Sequence, residues 1–224
     1  MERAVRVVIF GATGMVGQGV LRECLLDDGV EAVLVVGRTP TGRTHPKLTE
    51  IVHADLYDLS PLADRLTGLD ACLFCLGVSS TGMAEAAYTR VTYDLTMAVA
   101  ATLAQTSPGM RFLYVSGTGT DSTERGRSMW ARVKGRTENA LLAMPFDTYL
   151  FRPGFIQPMH GIVSKTGLYR AGYAVSRPLY PVLRRLFPSV ITTTEKVGRA
   201  MVRVARDGAR ERVLGNREIN IIAA

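Results

Sequence analysis

The chain has 224 residues, of which 47% are apolar and 21% charged, with a formal net charge of +7 and three cysteines. These values exclude a disordered chain, a collagen-like repeat and a disulfide scaffold, and they are typical of one large domain or a domain with a small appendage. The unbroken apolar stretches are shorter than the ~20 residues of a membrane-spanning helix, so we expect no membrane partner. A strand-like run starts by Val5 in place of a secretory signal, so we expect a cytoplasmic protein.

The basic residues are mostly arginine. Of the 27 lysines and arginines, only four are lysine: Lys47, Lys134, Lys165 and Lys196. We attribute this skew to the codon composition of a GC-rich bacterial genome. The positive balance favours an anionic ligand such as a nucleotide phosphate. The arginines are scattered, and there is no zinc-finger spacing or RNA-binding aromatic signature, so we predict no nucleic-acid partner.

Apolar β-branched runs alternate with helical patterns over the first two thirds of the chain. The runs that predict strands are residues 4–10, 31–37, 48–54, 71–77, 111–117 and 148–154. The patterns that predict helices cover about 16–26, 61–66, 84–105 and 129–144. This alternation predicts βαβ units and therefore an α/β fold, a Rossmann-type doubly wound parallel sheet with helices on both faces.

The alternation stops after residue 154. Residues 155–190 contain four prolines and several glycines, so we predict irregular structure with short helices, forming a small C-terminal substrate lobe within a single domain of residues 1–224. A last helix is predicted to begin near Thr192, which has capping-box spacing to Glu195. A terminal strand is predicted over about 218–222.

The cysteines and histidines do not form a metal-ligand pattern. Cys72 and Cys75 make a C-x-x-C within an apolar run that predicts a buried strand. Side chains three apart on a strand point to opposite faces, so these two cannot easily share a disulfide or a metal ion. His45, His53 and His160 have no ligand-like spacing either, and we predict no metal site.

Three glycines with G-x-x-G-x-x-G spacing, Gly11, Gly14 and Gly17, follow the first strand and open the first helix. Glycine at these positions permits a tight turn and close approach of the backbone to a pyrophosphate, and the helix N-terminus presents N–H groups to the phosphates. The spacing alone also fits an ordinary tight turn between a strand and a helix. Its position in the chain favours a dinucleotide-binding turn.

The end of the second strand indicates which dinucleotide binds. An acidic residue there holds the 2′-hydroxyl of NAD, whereas an arginine accommodates the 2′-phosphate of NADP. This chain has Arg38 at that place, with Arg43 nearby and no carboxylate beside it. We predict NADP rather than NAD, the alternative being a surface arginine in an arginine-rich chain.

The chain resembles the atypical or extended branch of the short-chain dehydrogenase/reductase superfamily, grouped with NAD-dependent epimerases/dehydratases. It is particularly similar to the small Tat-interacting oxidoreductase-like proteins. The segments that carry the resemblance are GATGMVG, VVGRT, HADL, FCLG, YVSG, VKGRTE and FRPG, in the family's order across about residues 4–155. Beyond residue 155 the resemblance is general.

The resemblance implies a cofactor role for each matching residue. The pyrophosphate would be bound by Gly11, Thr13, Gly14, Met15, Val16 and Gly17. The adenosine end would be held by Arg38 at the 2′-phosphate, by Asp55 and Leu56 beside the adenine, and by Leu76 and Gly77 along the ribose. The residues near the nicotinamide would be Pro153, Gly154 and Phe155.

The resemblance also implies a catalytic set, from which this chain departs at one position. In the superfamily a serine after the fifth strand polarises the substrate carbonyl, and a Y-x-x-x-K pair on the next helix supplies the proton while its lysine holds the nicotinamide ribose. Ser116 and Lys134 match, but Trp130 stands in place of the tyrosine. An indole does not titrate in the useful range and cannot pass a proton to an alkoxide, although it can shape the pocket. The proton would come from Ser116, a bound water, or a tyrosine such as Tyr93 or Tyr173.

These observations predict an NADP(H)-dependent oxidoreductase or epimerase-like enzyme that acts on a carbonyl or hydroxyl group and turns over ordinary ketones slowly. The alternative is an NADP(H)-binding sensor or protein-interaction module with little turnover. Trp130 and the short substrate lobe favour that alternative. The sequence leaves the substrate, the reaction direction and the oligomeric state open.

Overall fold

A computed structural model describes residues 4–162 and 190–224 of the protein. Its strands are β1 (Val5–Phe10), β2 (Val30–Gly37), β3 (Leu48–Val52), β4 (Ala71–Phe74), β5 (Arg111–Val115), β6 (Asp147–Arg152), β7 (Phe155–Gln157), β8 (Ile191–Thr193) and β9 (Val213–Gly215). Its α-helices are α1 (Met15–Leu26), α2 (Glu85–Thr89), α3 (Leu95–Thr106), α4 (Met129–Leu142), α5 (Thr194–Asp207) and α6 (Asn216–Ile222). A 3₁₀ helix covers Ser60–Leu66, and a π-helical turn, Arg90–Asp94, joins α2 to α3.

Seven of the described strands form one parallel sheet, in the order β3-β2-β1-β4-β5-β6-β9. The strand order reverses between β1 and β4, and ligands of open α/β sheets bind at such a switch point, outside the carboxyl ends of the strands. The Rossmann-type doubly wound α/β fold predicted from the sequence is therefore confirmed. The two short strands β7 and β8 pair with each other in parallel, apart from this sheet.

The apolar strands bury both of their faces, as a parallel sheet covered by helices requires. One face packs against α1 and α5 and includes Ile9 and Leu113. The opposite face packs against the 3₁₀ helix, α3 and α4, and it contains a row of aromatic rings. In that row the centroid of Phe74 lies 5.9 Å from that of Phe10 and 5.8 Å from that of Phe112.

The predicted terminal strand over 218–222 is wrong. These residues belong to α6, and the last strand of the sheet is β9, which pairs with β6. Ile219 is fully buried while Ile221 is 62% exposed. A strand would place these two side chains on the same face, so the burial pattern is that of a helix.

A helix begins near Thr192 as predicted, but Thr192 is not its cap. Thr192 lies in β8, and the cap of α5 is Thr193, whose hydroxyl accepts a hydrogen bond from the Lys196 backbone N–H at 3.0 Å. The side chain of Thr192 instead donates to Asn220 at 3.0 Å. Three consecutive threonines precede Glu195, and the one that leaves the strand becomes the cap.

The predicted substrate lobe over 155–190 falls mostly on residues 163–189, which lie outside the described residues. Its described part contains β7, in which Phe155 pairs with Ile191 of β8. No helix among the described residues is long and apolar enough to cross a membrane.

Candidate functional site

Two adjoining cavities open along the carboxyl edge of the sheet. The first has a volume of about 630 Å³, and the predicted residues that line it are Gly11, Thr13, Gly14, Arg38, Asp55, Leu56, Leu76 and Gly77. The second has a volume of about 560 Å³, and the predicted residues that line it are Gly14, Met15, Val16, Leu76, Gly77, Ser116, Trp130, Lys134, Pro153 and Gly154. Gly17 and Phe155 line neither cavity. Because Gly14 and residues 75–78 line both, the cavities form one continuous cleft.

The glycine turn at the centre of the cleft tolerates no side chain at two of its positions. Gly11 has φ +86°, and a Cβ on it would lie 2.7 Å from the carbonyl carbon of Cys75. A Cβ on Gly17 would lie 2.0 Å from the carbonyl oxygen of Gly11, so Gly17 allows α1 to pack against β1. Gly14 is the N-cap of α1, and no side chain in the described part of the chain caps the first turn. The turn therefore fits a pyrophosphate, which would bind the open N–H groups at the positive end of the helix dipole.

Arg38 lies at the outer end of the first cavity, one residue after β2. Its side chain is exposed, and within residues 4–162 and 190–224 its guanidinium has no hydrogen-bond or ion-pair partner. A free guanidinium at this position is suited to bidentate contact with a phosphate. Arg38 thus places a positive charge in the wall of the same cavity that the glycine turn lines.

Tyr57 and Arg90 are among the residues of the first cavity that sequence reasoning missed. Tyr57 donates a hydrogen bond from its hydroxyl to the Arg90 carbonyl at 3.0 Å, and the guanidinium carbon of Arg90 lies 5.7 Å from the centroid of the Tyr57 ring. Tyr57 follows Asp55 by two residues, and its backbone N–H donates to the Asp55 carboxylate at 2.9 Å. Proximity in sequence to Asp55 could have indicated Tyr57, whereas Arg90 enters the cavity wall through the unpredicted π-helical turn.

Ser116 lines the second cavity but uses its hydroxyl proton elsewhere. The side chain is 8% exposed, and its hydroxyl donates to Glu138 Oε1 at 2.5 Å. A hydroxyl has a single proton to donate, so Ser116 can polarise a substrate carbonyl only after releasing Glu138. The role that the family resemblance implies for Ser116 stays a prediction.

Glu138 belongs to a buried ion pair that sequence reasoning also missed. Its side chain is 1% exposed and accepts hydrogen bonds from Arg152 Nε at 3.0 and 3.2 Å and from Arg152 Nη2. Arg152 Nη2 also donates to the Ser122 hydroxyl at 2.6 Å. Breaking such a pair leaves one buried charge without a partner, so Arg152 and Glu138 fix the ends of β5, α4 and β6 relative to one another.

Lys134 places an ammonium group in the wall of the second cavity. Its Nζ donates a hydrogen bond to the Ser116 backbone carbonyl, at the carboxyl end of β5. Burial lowers the pKa of the Lys134 ammonium to about 8 from its ordinary value of 10.5, and the Glu138 carboxylate one turn along α4 opposes this shift. With this lowered pKa, the Lys134 ammonium releases its proton more readily than an ordinary lysine does.

Of the alternative proton donors, none of the described tyrosines lines the second cavity. The ring of Tyr93 is stacked under Arg136, with 4.1 Å from the guanidinium carbon to the ring centroid. Tyr173 lies outside the described residues. Trp130 lines the cavity one turn before Lys134, as the W-A-R-V-K spacing on a helix predicts.

Cys72 packs on one face of the sheet and Cys75 against the other, as predicted. Burial raises the pKa of the Cys75 thiol to about 12.

Asn216 accepts a hydrogen bond from the backbone N–H of Gly154 at 3.0 Å, which fixes the peptide that lines the second cavity. Sequence reasoning missed Asn216 because it lies 62 residues from Gly154.

Comparison with known families gives a match over most of the chain. A family model described as NAD(P)H-binding matches residues 11–167. The matched range contains the glycine turn, Arg38, Ser116, Lys134 and Gly154. Comparison with curated proteins gives no match.

Solved structures with a similar fold come from several organisms. WbmF of Bordetella bronchiseptica in complex with NAD+ has a TM-score of 0.67 at 15% identity, covering 98% of this chain and 77% of that chain. A short-chain dehydrogenase family protein of Francisella tularensis has a TM-score of 0.62 at 12% identity, covering 92% of each chain. The UDP-N-acetylglucosamine 4-epimerase of Methanobrevibacter ruminantium has a TM-score of 0.63 at 13% identity, covering 94% of this chain and 75% of that chain. At these identities the likeness is one of fold, and together with the family match it confirms the resemblance to short-chain dehydrogenases/reductases.

Proposed function

The chain belongs to the NAD(P)H-binding family, and from this premise we propose that it is an NADP(H)-dependent oxidoreductase acting on a carbonyl or hydroxyl group. The observation that carries the proposal is the continuous cleft of two cavities, with the cation of Arg38 at one end and that of Lys134 at the other. The glycine turn lies between them. This order of groups matches the order of parts in a dinucleotide: 2′-phosphate, pyrophosphate and nicotinamide ribose.

In this proposal the first cavity takes the adenosine half of the cofactor. Arg38 binds the 2′-phosphate, and the absence of a carboxylate beside it in the sequence removes the group that would favour NAD. The adenine lies beside Asp55 and Leu56, and Tyr57 lines the same cavity. NADP is therefore the proposed cofactor, and Arg38 the residue that selects it.

The second cavity takes the nicotinamide half and the substrate. Lys134 holds the nicotinamide ribose, and the backbone at Pro153 and Gly154 lies beside the ring. When bound, NADPH supplies the hydride, while the protein orients it and excludes water. Valines, Ile156 and Trp130 contribute much of the wall, which favours a substrate with an apolar or planar body around its carbonyl. The fold it shares with a UDP-N-acetylglucosamine 4-epimerase also makes an epimerase-like use of the same hydride step a candidate.

A second candidate function is a cofactor-binding sensor or interaction module with little turnover. The observation that favours it is Trp130 at the position where the superfamily has its proton-donating tyrosine. The test is whether NADPH bound to the purified protein is oxidised by 4-nitrobenzaldehyde, cyclohexanone or 1,4-naphthoquinone. Substrate-dependent loss of the NADPH absorbance supports the enzyme, whereas tight NADPH binding without oxidation by any of the three supports the sensor.

A further inference from the structure

We propose that Lys134 is itself the acid that protonates the substrate oxygen, a function that the superfamily assigns to the tyrosine replaced here by Trp130. This inference rests on the proposed function as an oxidoreductase. It adds a proton-transfer role to the ribose-binding role that the family resemblance implies for Lys134. We infer this role by comparing the groups of the second cavity that could donate a proton.

The other polar groups in the cavity wall are unsuited to that task. The Ser116 hydroxyl already donates to Glu138 at 2.5 Å, and the Trp130 indole does not titrate. The hydroxyls of Ser79 and Thr118 donate to the Thr81 hydroxyl at 2.9 Å and to the Arg152 carbonyl at 3.1 Å. Among the described residues that line the second cavity only Cys75 and Lys134 carry an ionisable side chain, and burial raises the pKa of the Cys75 thiol to about 12. Of these described residues, Lys134 is left as the ionisable group with a usable proton.

The position of the Lys134 ammonium suits a donor. One of its three N–H groups bonds to the Ser116 carbonyl, which fixes Nζ against the end of β5 and leaves two donors. Lys134 and Trp130 lie one turn apart on α4 and line the same cavity. A substrate carbonyl placed beside the indole would therefore lie near this ammonium.

The charged groups around Lys134 counter only part of the effect of burial on its pKa. Glu138 on the same helix attracts the ammonium, but Arg152 on β6 pairs with that carboxylate and balances its charge. From α2, Glu85 pairs with Arg132 at 2.6 Å, and burial raises the pKa of the Tyr88 phenol, which stays neutral. Glu138 therefore offsets only part of the effect of burial, which leaves the pKa of Lys134 at about 8, and a general acid is most effective with a pKa near the working pH.

The step balances in atoms and electrons. As the carbonyl carbon gains a hydride with its two electrons from NADPH, the C=O double bond opens and the oxygen takes a proton from Lys134. An N–H bond breaks and an O–H bond forms, and the electron pair of the N–H bond stays on the lysine nitrogen. The products are the alcohol, NADP+ and a neutral lysine, which regains its proton from solvent.

The first test measures the pKa of Lys134 directly, without activity. The chain has four lysines, so ¹³C-labelled lysine can be followed by NMR through a titration, with Lys134→Arg identifying the signal. We expect one lysine signal, the one lost in Lys134→Arg, to titrate near pH 8. A Lys134 signal that titrates at pH 10 or above would overturn the proposal.

The second test separates proton transfer from cofactor binding. Lys134→Arg keeps a cation for the ribose but cannot release its proton in the working range, so NADPH affinity should change by no more than about threefold while reduction of the best of the three carbonyl probes falls about 10²–10⁴-fold. Lys196→Arg, the same change on α5 away from both cavities, should alter neither. Equal rates for Lys134→Arg and the unaltered enzyme would refute the proton-donor role alone. Failure of the unaltered protein to bind NADPH, or to oxidise it with any probe, would instead refute the proposed function and this inference with it.

Discussion

Ser116 donates its hydroxyl proton to Glu138, at 2.5 Å between the two oxygens, although the same side chain lines the second cavity. Glu138 in turn accepts from Arg152 Nε at 3.0 Å, so the serine is the end of a buried polar chain. Lys134 bonds to the backbone carbonyl of this same serine. The end of β5 thus contacts both the buried polar chain, through the Ser116 hydroxyl, and the proposed proton donor Lys134, through the Ser116 carbonyl.

Ser116→Ala separates these two functions. Removing the hydroxyl takes one hydrogen bond from a buried carboxylate that keeps its arginine partner, so we expect a loss of about 1–2 kcal/mol in the free energy of unfolding, measured in urea. The rate of carbonyl reduction should fall about tenfold or less. Ser122→Ala removes an exposed acceptor of the same Arg152 and should cost less stability. A rate loss above a hundredfold with unchanged stability would show that Ser116 acts on the substrate.

Gly17→Ala tests the packing role of the third glycine. Its Cβ would lie 2.0 Å from the Gly11 carbonyl oxygen, which forces α1 away from β1 and disturbs the turn. We expect a loss of about 3 kcal/mol in stability together with weaker NADPH binding. Gly77→Ala is the control for stability, because no atom of the described residues lies within 4 Å of its Cβ position. Equal thermal stability of the two variants would contradict the close packing.

Lys134→Met tests the lowered pKa through folding. Below about pH 8 lysine is protonated in both states, and the folded protein carries the cost of a buried ammonium. Between pH 8 and 10.5 the folded state has released the proton and the unfolded state still holds it, so the stability of the unaltered protein should rise with pH relative to that of Lys134→Met. Urea unfolding of both proteins at pH 7, 8.5 and 10 measures this difference. A difference that is independent of pH would contradict the shift.

Most of the fold could be predicted from the sequence because its strands are nearly continuous apolar runs, each ended by glycine or a polar turn. The wrong prediction of a strand over 218–222 has a physical cause. Ile219, Ile221 and Ile222 form a β-branched run that has strand propensity, yet Ile219 packs into the core through a helix that starts after Gly215. Local propensity was overridden by tertiary packing, which a single sequence does not display.

Part of the candidate site could likewise be predicted from the sequence, and part could not. The glycine turn, Arg38 and the Trp130–Lys134 spacing are local patterns, and the structure brings them to one cleft. The partners that determine what Ser116 and Gly154 can do come from far along the chain. Arg152 at the end of β6 pairs with Glu138 on α4, and Asn216 lies 62 residues from the peptide it fixes. Such contacts depend on strand order and side-chain direction, for which spacing gives no signal.

The central claim is that the cleft binds NADP(H) through Arg38, and calorimetric titration of the unaltered protein with NADPH and with NADH tests it most directly. We predict that NADPH binds more tightly by about 1–3 kcal/mol, the contribution of a charge-assisted contact with the 2′-phosphate. Arg38→Glu should abolish this preference. Arg43→Glu, the same change at a nearby arginine that lines neither cavity, should retain most of it. Equal affinity of the unaltered protein for the two cofactors would contradict the assignment of Arg38, and binding of neither would contradict the account as a whole.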